Sequence, residues 1–195
     1  MKSFFFEALE TLLLGVGAFL ILQASVQNFR VQGDSMDPTL VNQQHLLVSK
    51  VAYAASPFQT NSGSGEADAA NNPYVFNPPQ RGDIVVFHLA DRTSADLVKR
   101  VVALPGETVE MRDGRVYVDG EMMDEPYLTG FDDSNVATEV VPEGHYYVLG
   151  DNRAVSFDSR SLGPISRSQI IGKAWISYWP LDRLNVLDAD SPPLQ

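Results

Sequence analysis

An all-β domain preceded by one N-terminal transmembrane helix is the fold class this sequence predicts, on three observations. The stretch from Thr11 to Phe29 carries no charge and centres on the apolar run Leu12 to Leu22. Beyond it, apolar and β-branched residues come in short runs bounded by Gly, Pro, Asp and Asn, the pattern of strands rather than helices. Two Asp-Gly pairs, Asp113-Gly114 and Asp119-Gly120, fall where such runs end. A chain of 195 residues can bury one substantial core with a small second lobe.

The charge-free segment is just long enough for a spanning helix of roughly 17 to 25 residues. A cleaved signal peptide would instead show a basic start, a short apolar core and a small-residue cleavage site. Lys2 and Leu22-Gln23-Ala24 fit that pattern weakly, so the segment reads as a retained anchor. Charge alone leaves its orientation undecided: Lys2 and the terminal amine oppose Glu7 and Glu10 before the helix, and Arg30 follows it.

After the anchor, strands are expected at Phe29 to Gln32, His45 to Val51, Asp83 to Leu89, Leu97 to Ala103, Thr108 to Arg112, Arg115 to Val118, His145 to Leu149 and Ile170 to Tyr178. Asp113-Gly114 reads as a two-residue hairpin turn, since Asp and Gly tolerate the positive φ that such a turn requires. Asp119-Gly120 closes the same ribbon. Residues 54–80 change composition to Ser, Gly, Asn, Ala and Pro, too polar to offset their ordering entropy, and are expected to form a flexible insertion. The Pro192 to Leu194 tail is expected to fray.

Composition removes several function classes. With 25 acidic against 14 basic residues, a net charge of -11 and no basic stripe, the composition argues against a nucleic-acid partner, because phosphate contacts need clustered Lys and Arg. Cysteine is absent, so there is no disulfide framework, thiol nucleophile or thiolate metal site. No His-Glu-x-x-His run or other close ligand spacing points to a metal, and no cofactor is expected.

Three segments carry chemistry. Gly33-Asp34-Ser35-Met36-Asp37-Pro38-Thr39-Leu40 is a turn-rich stretch after a strand, where a serine can be held with its backbone N–H exposed, as an acyl-transfer nucleophile and half an oxyanion hole require. Taken alone, Ser35 is an ordinary turn residue. Leu97 to Glu107 places Lys99 inside a β-branched run; strand alternation sends Lys99 and Val101 to one face and Val98, Arg100 and Val102 to the other. A lysine on such a strand is ordinarily an edge residue with a snorkelling stem, but if enclosed it loses its charge and becomes a general base. Gly150 to Pro164 is dense in polar groups: Ser156 could orient the lysine amine, while Asp158 and Arg160 could pair to hold the loop.

In this order the segments resemble the type I signal peptidase (leader peptidase) family of Ser/Lys proteases. Its serine box is matched by Gly33 to Leu40, its strand box by Arg81 to Phe87, its lysine box by Lys99 to Glu107 and its last box by Gly150 to Gly163. The likeness runs on through Pro142 to Val148 and Ile171 to Trp175. Any one box is a weak signal, whereas four in order are a strong one. The resemblance implies Ser35 as nucleophile, Lys99 as general base, Ser156 as the residue that orients Lys99, Asp158 and Arg160 as a structural ion pair, and the Ser35 backbone N–H as an oxyanion donor. It further implies that Phe29, Val31, Met36, Leu40, Leu97 and Val98 line shallow apolar pockets for the small residues of an Ala-X-Ala site. One departure stands out: some members carry a hydroxyl residue two positions before the nucleophile, where this chain has Gly33.

By the same resemblance, the all-β catalytic core, expected over residues 29–195 behind an anchor at 1–28, is antiparallel and interrupted by a smaller lobe near residues 107–144. The implied protein is a membrane-bound serine endopeptidase with a cytoplasmic N-terminus and an extracytoplasmic catalytic domain. Its implied partners are secretory preproteins and the lipid bilayer, and no oligomeric state is implied. Two alternatives stay open: a Ser/Lys peptidase with a specialised substrate, such as a conjugative pilin or an organelle or thylakoid precursor, and an anchored β-domain that binds exported chains without cutting them. A histidine-based protease has His45, His88 and His145 to draw on, but none lies in a segment that positions it against Ser35.

Overall fold

The computed structural model describes residues 2–54, 77–89 and 95–188. A 24-residue helix, α1 (Lys2–Ser25), runs directly into β1 (Val26–Arg30). There follow β2 (His45–Ser49), β3 (Ile84–Phe87), β4 (Leu97–Ala103), β5 (Thr108–Arg112), β6 (Arg115–Val118), β7 (Glu121–Met122), β8 (Val136–Val140) and β9 (His145–Leu149). A single helical turn, α2 (Ser159–Leu162), then precedes β10 (Ile165–Ser166), β11 (Ile170–Trp179) and β12 (Asn185–Val186).

The strands form two antiparallel sheets. The larger runs in the order β1-β2-β11-β3-β4-β9-β10, with β12 also paired to β11, and the smaller in the order β7-β6-β5-β8. Four antiparallel steps separate β1 from β4, so these two strands point the same way. In the sequence, β3 is a continuous apolar run, and all four of its residues are buried. Strands β5 and β6 alternate, and their inward residues Val109, Met111, Val116 and Val118 pack with Val102, Ala103, Tyr147 and Leu149 of the larger sheet. A second cluster under β1 to β3 includes Val31, Met36, Leu40, Leu46, Val48, Ile84 and Val86.

The β5–β6 turn is the expected hairpin, with φ of 48° at Asp113 and 74° at Gly114. Glycine is required there for a second reason: a Cβ on Gly114 would lie 2.1 Å from the carbonyl oxygen of Asp132. The strand expected at Phe29 to Gln32 is shifted: it starts at Val26 because pairing of Val26 with Ser49 continues the ladder up to the helix end.

Of the expected flexible insertion at 54–80, most lies outside the described residues, as does the tail. For the expected anchor, the structure supplies a helix with Leu12, Leu13, Leu14, Val16, Phe19, Leu20, Ile21 and Leu22 all exposed. Among the described residues, however, no helix is long and apolar enough to cross a membrane. The apolar run Leu12 to Leu22 is bounded by Glu10 and Thr11 on one side and Gln23 on the other, short of the roughly 20 apolar residues of a full span.

The longest strand, β11, joins the halves of the larger sheet by pairing with β2 and β3. Close approach is built into it at Gly172, where a Cβ would sit 2.3 Å from the Ser49 carbonyl oxygen and 3.0 Å from Val48 Cγ1. Gly172→Ala should therefore force the β2 and β11 backbones apart and cost about 1–3 kcal/mol, the range for overpacking. A melting temperature several degrees below wild type is the expected result, and an unchanged one would show that the ladder can yield there.

Candidate active site

The turn after β1 is held from beneath by two apolar side chains. Met36 and Leu40 are fully buried, and the Leu40 N–H donates to the Met36 carbonyl at 2.8 Å. Gly33 opens the turn at φ +90°, a conformation that disfavours any residue with a Cβ, and its N–H donates to Asn42 Oδ1 at 3.3 Å. The Ser35 carbonyl accepts the Asn152 N–H at 3.0 Å, which ties the turn to the loop after β9. Ser35 itself is half-buried.

From β4, Lys99 reaches this turn. Its Nζ lies 2.6 Å from Ser35 Oγ and donates to the Val98 carbonyl at 2.8 Å. The side chain is only 2% exposed. Burial pushes the amine down to about 8; Asp158 and Asp151 pull it back up, and Arg160 adds to the depression. The sequence thus places a lysine on a buried strand, and the fold leaves its amine beside a hydroxyl in a desolvated setting.

Arg100, the next residue, is fully buried and serves a different set of partners. Its Nε and Nη2 make a two-pronged contact with Asp151 at 2.9 and 2.8 Å, and Nη1 donates to the Gly82 carbonyl at 3.0 Å. The following loop contains Asp158, whose carboxylate receives Arg160 Nε and Nη2, both at 2.9 Å, and the Gly150 N–H at 3.1 Å. Arg160 also bonds Asp132 Oδ2 at 2.7 Å. Ser156 stands apart from its expected partner: its Oγ is buried but makes no hydrogen bond, and the Lys99 amine is bonded to Ser35 and Val98 instead. Ser156 Oγ packs close over Gly150, where a Cβ would meet it at 2.2 Å.

A cleft of about 330 Å³ opens beside Ser35 and Lys99. One wall is the segment from Phe29 to Gln32 and the other runs from Ala95 to Lys99, with Leu46 and Val86 also lining it. Because β1 and β4 point the same way, both walls lead toward the Ser35–Lys99 end. Of the residues expected to line apolar pockets, Phe29, Val31, Leu97 and Val98 border this cleft; Met36 and Leu40 do not, being sealed in the core that supports the turn. Sequence reasoning missed Leu46 and Val86 in the cleft, and the Arg100–Asp151 pair behind it. The charged residues of the last polar segment were the available signal for that pair, since each needs a partner once buried. The histidines are engaged elsewhere: His45 packs edge-on to Tyr178, His88 binds Asp96, and His145 Nδ1 lies 3.0 Å from the Glu143 carbonyl.

A family model described as "Signal peptidase, peptidase S26" matches residues 5–179. Similar proteins include a signal peptidase I from Leptolyngbya laminosa, 35% identical over 189 residues that cover 93% of this chain and 83% of the relative. A signal peptidase IB from Staphylococcus aureus (strain COL) is 34% identical over 196 residues, covering 89% of this chain and 91% of the relative. Among solved structures, a signal peptidase I from Enterococcus faecalis V583 is 35% identical, with a TM-score of 0.44 and coverage of 50% of this chain and 97% of that one. With the family model spanning nearly all of it and relatives matched over most of their length, this chain belongs to the signal peptidase family, peptidase S26.

Proposed function

We propose that this protein is a serine endopeptidase that removes N-terminal signal peptides from exported preproteins, with Ser35 as nucleophile and Lys99 as general base. The observation that carries the reading is the 2.6 Å approach of a buried lysine amine to the Ser35 hydroxyl at the end of a cleft bordered by Phe29, Val31, Leu97 and Val98. At a pKa of about 8, about one lysine in ten is neutral at pH 7, against about one in 2,500 at the ordinary value of about 10.4.

In this mechanism Ser35 Oγ attacks the scissile carbonyl carbon as its proton passes to Lys99 Nζ. The Ser35 backbone N–H receives the oxyanion. Gly33 offers no hydroxyl, so water or another backbone N–H supplies any second donor. Collapse of the tetrahedral species breaks the C–N bond, and Lys99 returns its proton to the departing amine. Lys99 then deprotonates a water that hydrolyses the Ser35 ester, which restores the hydroxyl and releases the acid. The Asp158–Arg160 pair acts on the loop, and Ser156 packs beside the turn.

Cleft walls built from Phe29, Val31, Leu97 and Val98 favour small apolar residues before the scissile bond. The helix α1, about 36 Å long at 1.5 Å per residue, presents apolar side chains on all sides, which supports seating in lipid. In the proposed arrangement α1 tethers the β-domain to the extracytoplasmic face of the cell membrane.

Cleavage of an Ala-X-Ala fluorogenic peptide and of a preprotein tests the chemistry. Ser35→Ala and Lys99→Ala should abolish both while the protein remains folded. Lys99→Arg should be equally inactive, since a guanidinium stays protonated. Substantial turnover by Lys99→Arg or Ser35→Ala would refute the pair. The tether is tested by flotation on vesicles: the full chain should float at high salt, a chain lacking α1 should not, and equal behaviour of the two would remove the membrane role from α1.

A further inference from the structure

The segment between β7 and β8 reaches into the loop after β9 through buried polar side chains. Glu125 pairs with Arg153, and neither side chain is more than 2% exposed. Glu125 also accepts the Tyr127 hydroxyl at 2.7 Å. The Tyr127 ring lies 3.9 Å from the Arg100 guanidinium, itself clamped on Asp151. Arg153 Nε in turn donates to the Gly150 carbonyl at 3.1 Å.

Gly150 is where this loop meets the nucleophile's turn. A Cβ there would come within 2.4 Å of the Ser35 carbonyl oxygen, and Asn152 donates its N–H to that same oxygen. Contacts therefore run unbroken from Glu125, through Arg153 and Gly150, to the backbone of Ser35. A buried ion pair adds little stability compared with apolar packing of similar volume. What it does supply is direction, because charge-assisted hydrogen bonds fix both distance and angle.

We infer that Glu125 is a positioning residue: acting through Arg153 and Gly150, it holds the Ser35 turn so that the hydroxyl stays within reach of Lys99. For its effect on catalysis the inference rests on the Ser35–Lys99 reading; for its effect on the loop it rests on the contacts alone.

The test uses the full chain with Glu125→Gln and with the double replacement Glu125→Met and Arg153→Met. The double variant exchanges the pair for apolar side chains, so it does not strand a buried guanidinium as the single variant does. In a double variant that melts near wild type, kcat is expected to fall by about tenfold or more with little change in KM, as misplacement of a reacting group does. The rising limb of the pH profile is expected to move upward, because a looser loop admits water to an amine otherwise faced by Asp158, Asp151 and Arg160. Amide exchange at Gly150 and Asn152 should speed by about tenfold. Unchanged exchange at those amides overturns the inference whether or not Ser35 and Lys99 are the catalytic pair. Faster exchange with wild-type kcat and an unmoved limb overturns it as well. If Ser35→Ala cleaves normally while exchange still speeds, the catalytic reading falls and the positioning of the loop stands.

Discussion

Lys99 is a cation-forming side chain placed on a strand whose next four residues are all buried, and the arrangement around Ser35 depends on how that burial is tolerated. Desolvation lowers the amine to about 8. The unfolded chain holds this proton up to about 10.4, so between those two values the folded protein binds fewer protons than the unfolded one, and stability rises with pH across that window. Below it, Lys99 carries a full penalty for its burial. A core that accepts this penalty has exchanged stability for an amine that can be neutral near physiological pH.

The rest of the site keeps the desolvated amine aimed without neutralising it through a close counter-ion. Asp158 and Asp151 are the acids that act on it, yet Asp158 is committed to Arg160 and Asp151 to Arg100. Each acid is matched by a guanidinium in two-pronged contact, which leaves the amine with Ser35 Oγ and the Val98 carbonyl. The larger sheet supplies the lysine, the core under β1 anchors the Ser35 turn through Met36 and Leu40, and the smaller sheet's segment supplies Glu125 and Asp132 to the loop. Two sheets and one turn thus converge on a single hydrogen bond.

Much of this was legible from local pattern. Strands β4, β5, β6 and β9 carry enough β-branched and aromatic residues to mark their bounds, and Asp113-Gly114 announces its turn by backbone chemistry alone. Strand β8 was missed because Val136 to Val140 leaves all five residues at least partly exposed, so no buried face shows in its sequence; β7, β10 and β12 have two residues each, too few for any period. At the site, Ser35 and Lys99 were readable as a pair only through family likeness, since 64 residues separate them. The same distance problem hid the partners of Arg100 and Arg153, which lie 51 and 28 residues away. The family resemblance puts Met36 and Leu40 among the pocket residues, whereas the turn that presents Ser35 drives both side chains into the core. Which way a loop side chain points depends on tertiary packing that the local sequence does not encode, and the unpartnered Ser156 Oγ is a second example.

The central claim is that Lys99 titrates far below a free lysine because the fold dehydrates it. Nuclear magnetic resonance of the full chain in detergent micelles, with isotope-labelled lysine and Lys99→Met to assign the signal, measures this directly. The Lys99 amine is expected to titrate near 8 and the ascending limb of kcat/KM to follow it, activity rising with pH as Lys99 loses its proton. An amine titrating near the ordinary lysine value of about 10.4, or an activity limb that does not track it, would contradict the account.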